Sequence, residues 1–234
     1  MATYLLLHGA WHGGWCWSKV ATRLRAGGHS VFSPTFTGVS DRAHLLSPLV
    51  DLSTHVHDVV RLIDAEDLCD VILVGHSYSG MVVAGVVERR PERIRTRVHL
   101  DAFLPRSGEA AIDLLPQRIA HHYRESVSGP GFGWLIPPRS LEVLGVTDGD
   151  DLAWLAPRLT PQPWATYTEA VTLSTRAPDV PGVYVECTSW MRVFTPQAQR
   201  ARELGWPVHE LETGHEAMVT APEPLARFLE QLTA

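Results

Sequence analysis

The sequence predicts an α/β fold, a mostly parallel sheet of about six strands covered by helices on both faces and carrying a helical lid insertion. Three observations predict it. Short apolar, β-branched runs alternate with segments of helical length over the first hundred residues and again after residue 182. One junction, Val74-Gly75-His76-Ser77-Tyr78-Ser79-Gly80, passes from a strand-like run through a small-residue turn into a helix-like run. Between them, the stretch from about Pro105 to Pro181 is rich in proline and holds Trp134, Trp154 and Trp164 among short helical segments. A chain of 234 residues, 45% of them hydrophobic, can bury one sizeable core.

Taken in order, Thr3–Leu7 reads as the first strand and Trp15–Ala26 as a helix stopped by Gly27-Gly28. Ser30–Ser33 is a strand broken by Pro34. Ser53 or Thr54 caps a helix running to about Ala65, with Val56, Val59, Val60 and Ile63 on one face. Val71–Val74 is apolar throughout, as a strand buried on both faces would be, and Gly80–Glu88 has the pattern of a buried helix. Arg97–Ala102 is the next strand. Alternation resumes with a strand at Val183–Cys187, a helix at Pro196–Leu204, a strand at Val208–Glu212 and a closing helix at Pro222–Leu232. Residues 1–104 and 182–234 are thus expected to form the core of a single domain. Residues 105–181 are expected to form a lid over the C-terminal ends of the strands, since irregular connections of that length are uncommon without function.

Composition narrows the partners. A net charge of −6 disfavours nucleic acid and anionic membranes. Cys16, Cys69 and Cys187 are an odd set without metal-ligand spacing and fit a reducing compartment. The first residues carry no basic leader, and their apolar run is too short to span a membrane, so a cytoplasmic location is expected; monomer and homodimer both stay open. His55 and His57 point to different helix faces, and His121-His122 lacks a third ligand. No Gly-x-Gly-x-x-Gly follows a strand, so neither a metal nor a cofactor is expected.

The chemistry rests on Ser77. In a strand-turn-helix elbow the serine is lifted clear of the sheet, and a hydroxyl there needs a general base and an acid to orient it. His215 lies in the loop after the last strand, where such a sheet supplies its base. The usual place for the acid is the loop after the next-to-last strand, yet Thr188–Pro196 contains no carboxylate. Asp101, ending the strand that follows the elbow helix, is the favoured substitute. Glu186, inside Val183–Cys187, is the alternative, and a pair with no acid is the third. Backbone N–H groups for an oxyanion are expected from Ala10 (or Trp11), in the glycine-rich loop His8–Trp15, and from Tyr78, the residue after the serine. Trp11, Phe103 and Trp134 are expected to line an apolar substrate pocket.

These residues resemble a known family. The segments Leu7–Trp17, Thr37–Leu46, Val74–Gly80, Leu100–Pro105 and Gly214–Met218 are similar to α/β-hydrolases of a compact group. That group includes plant methyl-ketone and methyl-salicylate esterases, hydroxynitrile lyases and bacterial pyrethroid-hydrolase-like carboxylesterases. Two departures stand out: Ser79 where the elbow has glycine, and Trp190 where the plant enzymes have their catalytic aspartate. Relatives such as haloalkane dehalogenases take their acid from the strand that Asp101 ends. The resemblance implies a cofactor-free serine carboxylesterase for a small or mid-sized apolar ester. A lyase or cyclase of natural-product biosynthesis on the same scaffold, or a ligand-binding module without turnover, are the alternatives. Cyanohydrin cleavage is disfavoured, because Glu216 stands where those lyases carry lysine.

Overall fold

The computed structural model describes residues 1–175 and 178–233. Six parallel strands form one sheet: β1 (Thr3–Leu7), β2 (Ser30–Phe32), β3 (Val71–His76), β4 (Ile94–Leu100), β7 (Gly182–Cys187) and β8 (Val208–Leu211). Their spatial order is β2-β1-β3-β4-β7-β8. Strand β3, central and buried at every residue, is the apolar run read from the sequence. Helices α1 (Ser18–Ala26), α2 (Leu52–Ala65), α3 (Ser79–Arg89), α7 (Thr195–Glu203), α8 (Ala217–Thr220) and α9 (Pro222–Gln231) flank the sheet. Helix α1 packs with α9, and α2 with α3. Crossovers of this kind force parallel pairing, and parallel sheets need cover on both faces.

Several boundaries differ from expectation, each for a local reason. Helix α1 starts at Ser18, because Gly14–Trp17 forms a separate 3₁₀ turn. The cap of α2 is Asp51, whose carboxylate accepts from the Thr54 amide in a reciprocal capping box. The Ser53 hydroxyl instead donates to Glu169 of the insertion. Strand β4 stops at Leu100, since Asp101 takes a left-handed φ of 43°.

Residues 105–181 enter between β4 and β7. They contain α4 (Gln117–Ser128), α5 (Gly149–Leu155) and α6 (Ala165–Thr168). They also form a two-stranded antiparallel ladder absent from the sequence reading, β5 (Leu135–Ile136) against β6 (Gln162–Pro163). Hydrogen bonds fasten this segment to the C-terminal edge of the sheet. The Thr160 amide donates to Trp11 O, the Trp11 indole to Ile136 O, and the His215 amide to Leu144 O.

Packing is tight where α3 begins after β3. A Cβ at Gly80 would sit 1.9 Å from the Phe103 carbonyl oxygen, a backbone atom that cannot swing aside. Gly80→Ala should therefore destabilise the fold by about 3 kcal/mol, readable as a lower urea midpoint.

The buried histidines include His8, His55, His76 and His99. Burial holds His8 and His99 down at about 3 and His55 at about 4, and it lowers His76 well below the ordinary value. In the unfolded chain each takes up a proton near pH 6.5, whereas the native state refuses it. Stability is thus complete above about pH 6.5 and falls as pH drops towards 3. The slope reaches about 1.4 kcal/mol per pH unit for each group. Unfolding free energies from urea titrations should drop steeply between pH 6.5 and 5, and a flat profile would contradict this reading.

Candidate active site

Ser77 follows directly on β3, with a left-handed φ of 54°. Its amide donates to Leu100 O, and its carbonyl accepts from the Gly80 and Phe103 amides. These bonds hold a strained backbone on which the side chain is forced out of the sheet. The Ser79 hydroxyl donates to the His8 carbonyl at the end of β1. The departure from glycine is thus absorbed by a hydrogen bond, and the close approach falls to Gly80.

His215 lies after β8, and its ring meets Ser77 on one side and Asp101 on the other. Asp101 Oδ2 is 2.7 Å from His215 Nδ1, and Ser77 Oγ is 2.9 Å from Nε2. A carboxylate accepts, so Nδ1 carries the hydrogen and Nε2 is left to accept from the serine hydroxyl. The other Asp101 oxygen accepts from the Cys187 amide at 3.2 Å. Burial pushes the Asp101 carboxyl above its ordinary value, opposed by the bonds from His215 and Cys187.

Glu186 is equally buried but is directed elsewhere. Its Oε1 accepts from Arg192 Nε at 3.2 Å and from the Thr195 hydroxyl, with Arg192 Nη2 at 2.9 Å and Arg202 at 3.9 Å. It makes no contact with His215. Aromatics of the loop after β7 pack against the imidazole. Trp190 lies 4.4 Å from the His215 ring, and Phe194 stacks on it at 5.4 Å and 12°. The sequence reading noted Trp190 only as a departure and missed Phe194. Their signal was two large aromatics in the loop where an acid is usual.

The glycine-rich loop after β1 is pinned on both sides of Ala10. His8 Nδ1 donates to Gly9 O at 2.8 Å, and His12 Nδ1 donates to Ala10 O at 2.7 Å. The Trp11 amide, at a φ of 69°, is taken by Gln162 Oε1 at 3.3 Å, so it is not a free donor. The amides of Ala10 and Tyr78 have no acceptor among the described residues.

The cavity beside Ser77 and His215 is narrow, about 40 Å³. Trp11 and Phe103 line it, with Leu115, Ile119, Tyr123, Val143, Leu144 and Tyr167 from the insertion and Trp190, Met191, Val193 and Phe194 from the loop after β7. Trp134 does not line it, contrary to expectation. That residue is held by the β5–β6 ladder, where its carbonyl accepts from the Trp164 amide. Among the described residues, Arg139 is the one arginine or lysine along a mostly apolar lining, its guanidinium 5.7 Å from the Tyr123 ring. A larger cleft of about 860 Å³, beside Arg97 and Trp206, contains none of these site residues. Size alone therefore misleads, and the chemistry picks the smaller cavity.

Among the described residues, His76, His215 and Glu216 are the only three potential metal ligands close enough to share an ion. His215 has both ring nitrogens engaged, and His76 Nε2 donates to His215 O at 2.9 Å. Too few lone pairs remain for a closed ligand set.

Comparison with known proteins agrees with the architecture. A model of the alpha/beta hydrolase family matches residues 4–228. A carbendazim hydrolyzing esterase of Nocardioides sp. (strain SG-4G) is 40% identical over 245 aligned residues, covering 99% of this chain and 100% of that protein. Methylesterase 10 of Arabidopsis thaliana is 25% identical, covering 99% and 91%. Among solved structures, an extracellular alpha/beta-hydrolase from a Paenibacillus species superposes with a TM-score of 0.88 at 24% identity, covering 99% of this chain and 98% of that one. A pyrethroid hydrolase from Sphingobium faniae JZ-2 gives 0.71 at 20% identity, covering 99% and 96%. The two structural likenesses bear on the fold, and the family match spans nearly the whole sequence. This chain belongs to the alpha/beta hydrolase family.

Proposed function

We propose that the protein is a serine carboxylesterase that works through Ser77, His215 and Asp101 on small or mid-sized esters with apolar groups. The observation that carries this reading is the unbroken relay from Asp101 Oδ2 through His215 to Ser77 Oγ, at 2.7 and 2.9 Å. The esterase names of the relatives support the same class.

Ser77 Oγ attacks the ester carbonyl carbon as His215 Nε2 takes its proton. The imidazolium so formed is stabilised by the Asp101 carboxylate at Nδ1. Negative charge moves onto the carbonyl oxygen, which the Ala10 and Tyr78 amides receive. Collapse expels the alkoxide, protonated by His215, and leaves an acyl group on Ser77. Water, deprotonated by the same imidazole, then attacks the acyl carbon and frees the acid. Residues 105–181 act as a lid in this reading, because a cavity of about 40 Å³ must widen to admit an ester. A non-hydrolytic reading had two motives, the acid missing from the usual loop and Ser79 in the elbow; Asp101 beside His215 and the Ser79 hydroxyl on His8 O favour the hydrolytic one.

A fluorophosphonate probe should label Ser77 stoichiometrically, and Ser77→Ala should lower hydrolysis of p-nitrophenyl butyrate by on the order of 10³ or more. Retention of near-normal turnover in Ser77→Ala would sink the serine mechanism. Carbendazim belongs in the substrate panel beside simple methyl and p-nitrophenyl esters.

Asp101→Asn keeps size but removes the charge that orients His215 and stabilises its protonated form. It should lower kcat by on the order of 10⁴. Glu186→Gln should change kcat less than about tenfold at equal folded fraction, since its carboxylate faces Arg192 and Thr195. Reversal of this ranking would move the acid to Glu186.

A further inference from the structure

The site contains a second buried pair that the relay does not use. His12 and Glu216 are each about 1% exposed, and neither lines the cavity over Ser77. His12 Nδ1 donates to the Ala10 carbonyl at 2.7 Å. Its Nε2 lies 3.4 Å from Glu216 Oε2. Neither of these two atoms has a hydrogen-bond partner of its own among the described residues. Buried polar atoms require partners, and one proton between Nε2 and Oε2 satisfies both, whichever atom carries it.

What the pair connects is informative. His12 grips the peptide that follows Ala10, whose own amide has no acceptor among the described residues. Glu216 follows His215 directly in the chain. The two loops come from opposite ends of the sequence, and the His12 side chain spans the gap between them.

We infer that His12 and Glu216 are positioning residues. Their contact fixes the distance between the oxyanion donor at Ala10 and the base at His215, so that both address one ester carbonyl. The inference rests on the Ser77–His215–Asp101 reading proposed above. An oxyanion donor works only within about 2.7–3.1 Å of the developing charge, and a 1 Å misplacement lowers rates on the order of 10²-fold. Substrate in its ground state is held by the apolar cavity, which the pair does not line. Loss of the pair therefore falls on kcat and leaves KM nearly unchanged.

Three variants separate this role from simple stability. Glu216→Leu removes the partner of His12. His12→Asn keeps a donor for Ala10 O but loses the reach to Glu216. Glu216→Gln retains an N–H that can donate to His12 Nε2. Measured with p-nitrophenyl butyrate, Glu216→Leu and His12→Asn should each lower kcat by about 10–100-fold, with KM within about threefold. Each should weaken inhibition by an aryl trifluoromethyl ketone, which mimics the tetrahedral state, by the same factor. Glu216→Gln should stay within about threefold of the parent in both readouts, and the double variant should be no slower than the poorer single one. Unchanged kcat in His12→Asn, a change confined to KM, or additive losses in the double variant would each overturn the proposal. If Glu216→Leu does not fold, the contrast between His12→Asn and Glu216→Gln decides the matter. Fluorophosphonate labelling of the parent keeps the two readings apart. A parent that fails to label at Ser77 overturns the serine mechanism. A parent that labels and hydrolyses alongside variants of equal rate overturns only the positioning role.

Discussion

The backbone contacts between Ser77 and the residues around the end of β4 are the constraint on which the site depends. The Ser77 amide reaches Leu100 O, the Phe103 amide reaches Ser77 O, and Gly80 lies against the Phe103 carbonyl with no room for a side chain. The turn at Ser77 and the β4 terminus are therefore one rigid patch. Asp101 sits inside it, between the two residues whose main chain is bonded to Ser77. A carboxylate held there is positioned by the same bonds that strain the serine. Strain at Ser77 and Asp101, both with left-handed φ, is sustained because neighbouring main chain over-determines it.

The loop after β7 takes a different part. Where plant relatives are expected to carry an acid, Trp190 and Phe194 press on the imidazole of His215. Flat apolar contacts restrict the ring without competing for its nitrogens. A hydrogen bond at Nδ1 then selects the tautomer that leaves Nε2 free for the serine. Glu186, one residue before Cys187, is tied to arginines beside this loop. Its charge is paired with these arginines, as a buried carboxylate requires, without contact to His215.

The insertion makes the cavity, and it is itself bonded to the loops that it covers. Trp11 donates to Ile136 O, the Thr160 amide to Trp11 O, and the His215 amide to Leu144 O. The insertion and the glycine-rich loop after β1 are thus tied together through Trp11. The lining it supplies is apolar apart from Arg139, whose guanidinium stands beside Tyr123.

Much of the protein was legible in the sequence, and the parts that were have a common cause. The strand runs, the turn at Ser77, the loop holding Ala10 and the loop holding His215 are each written in contiguous residues, where periodicity, small side chains and chain order act locally. Other features depended on which side chains meet across the fold. Asp101 and Glu186 are both buried acids near strand ends, and only the turn of the main chain at Asp101 directs one of them to His215. Trp134 belonged to a proline-rich stretch with no clear period, and its ladder with Trp164 drew it away from the cavity. Asp51 took the helix cap because Ser53 is engaged by Glu169 from the insertion. The His12–Glu216 contact joins residues at the two ends of the chain. Sequence by itself determined the elements and the residue types at the site. Tertiary structure alone decided which polar atoms satisfy one another, because a buried donor or acceptor takes its partner from whatever packing brings within reach.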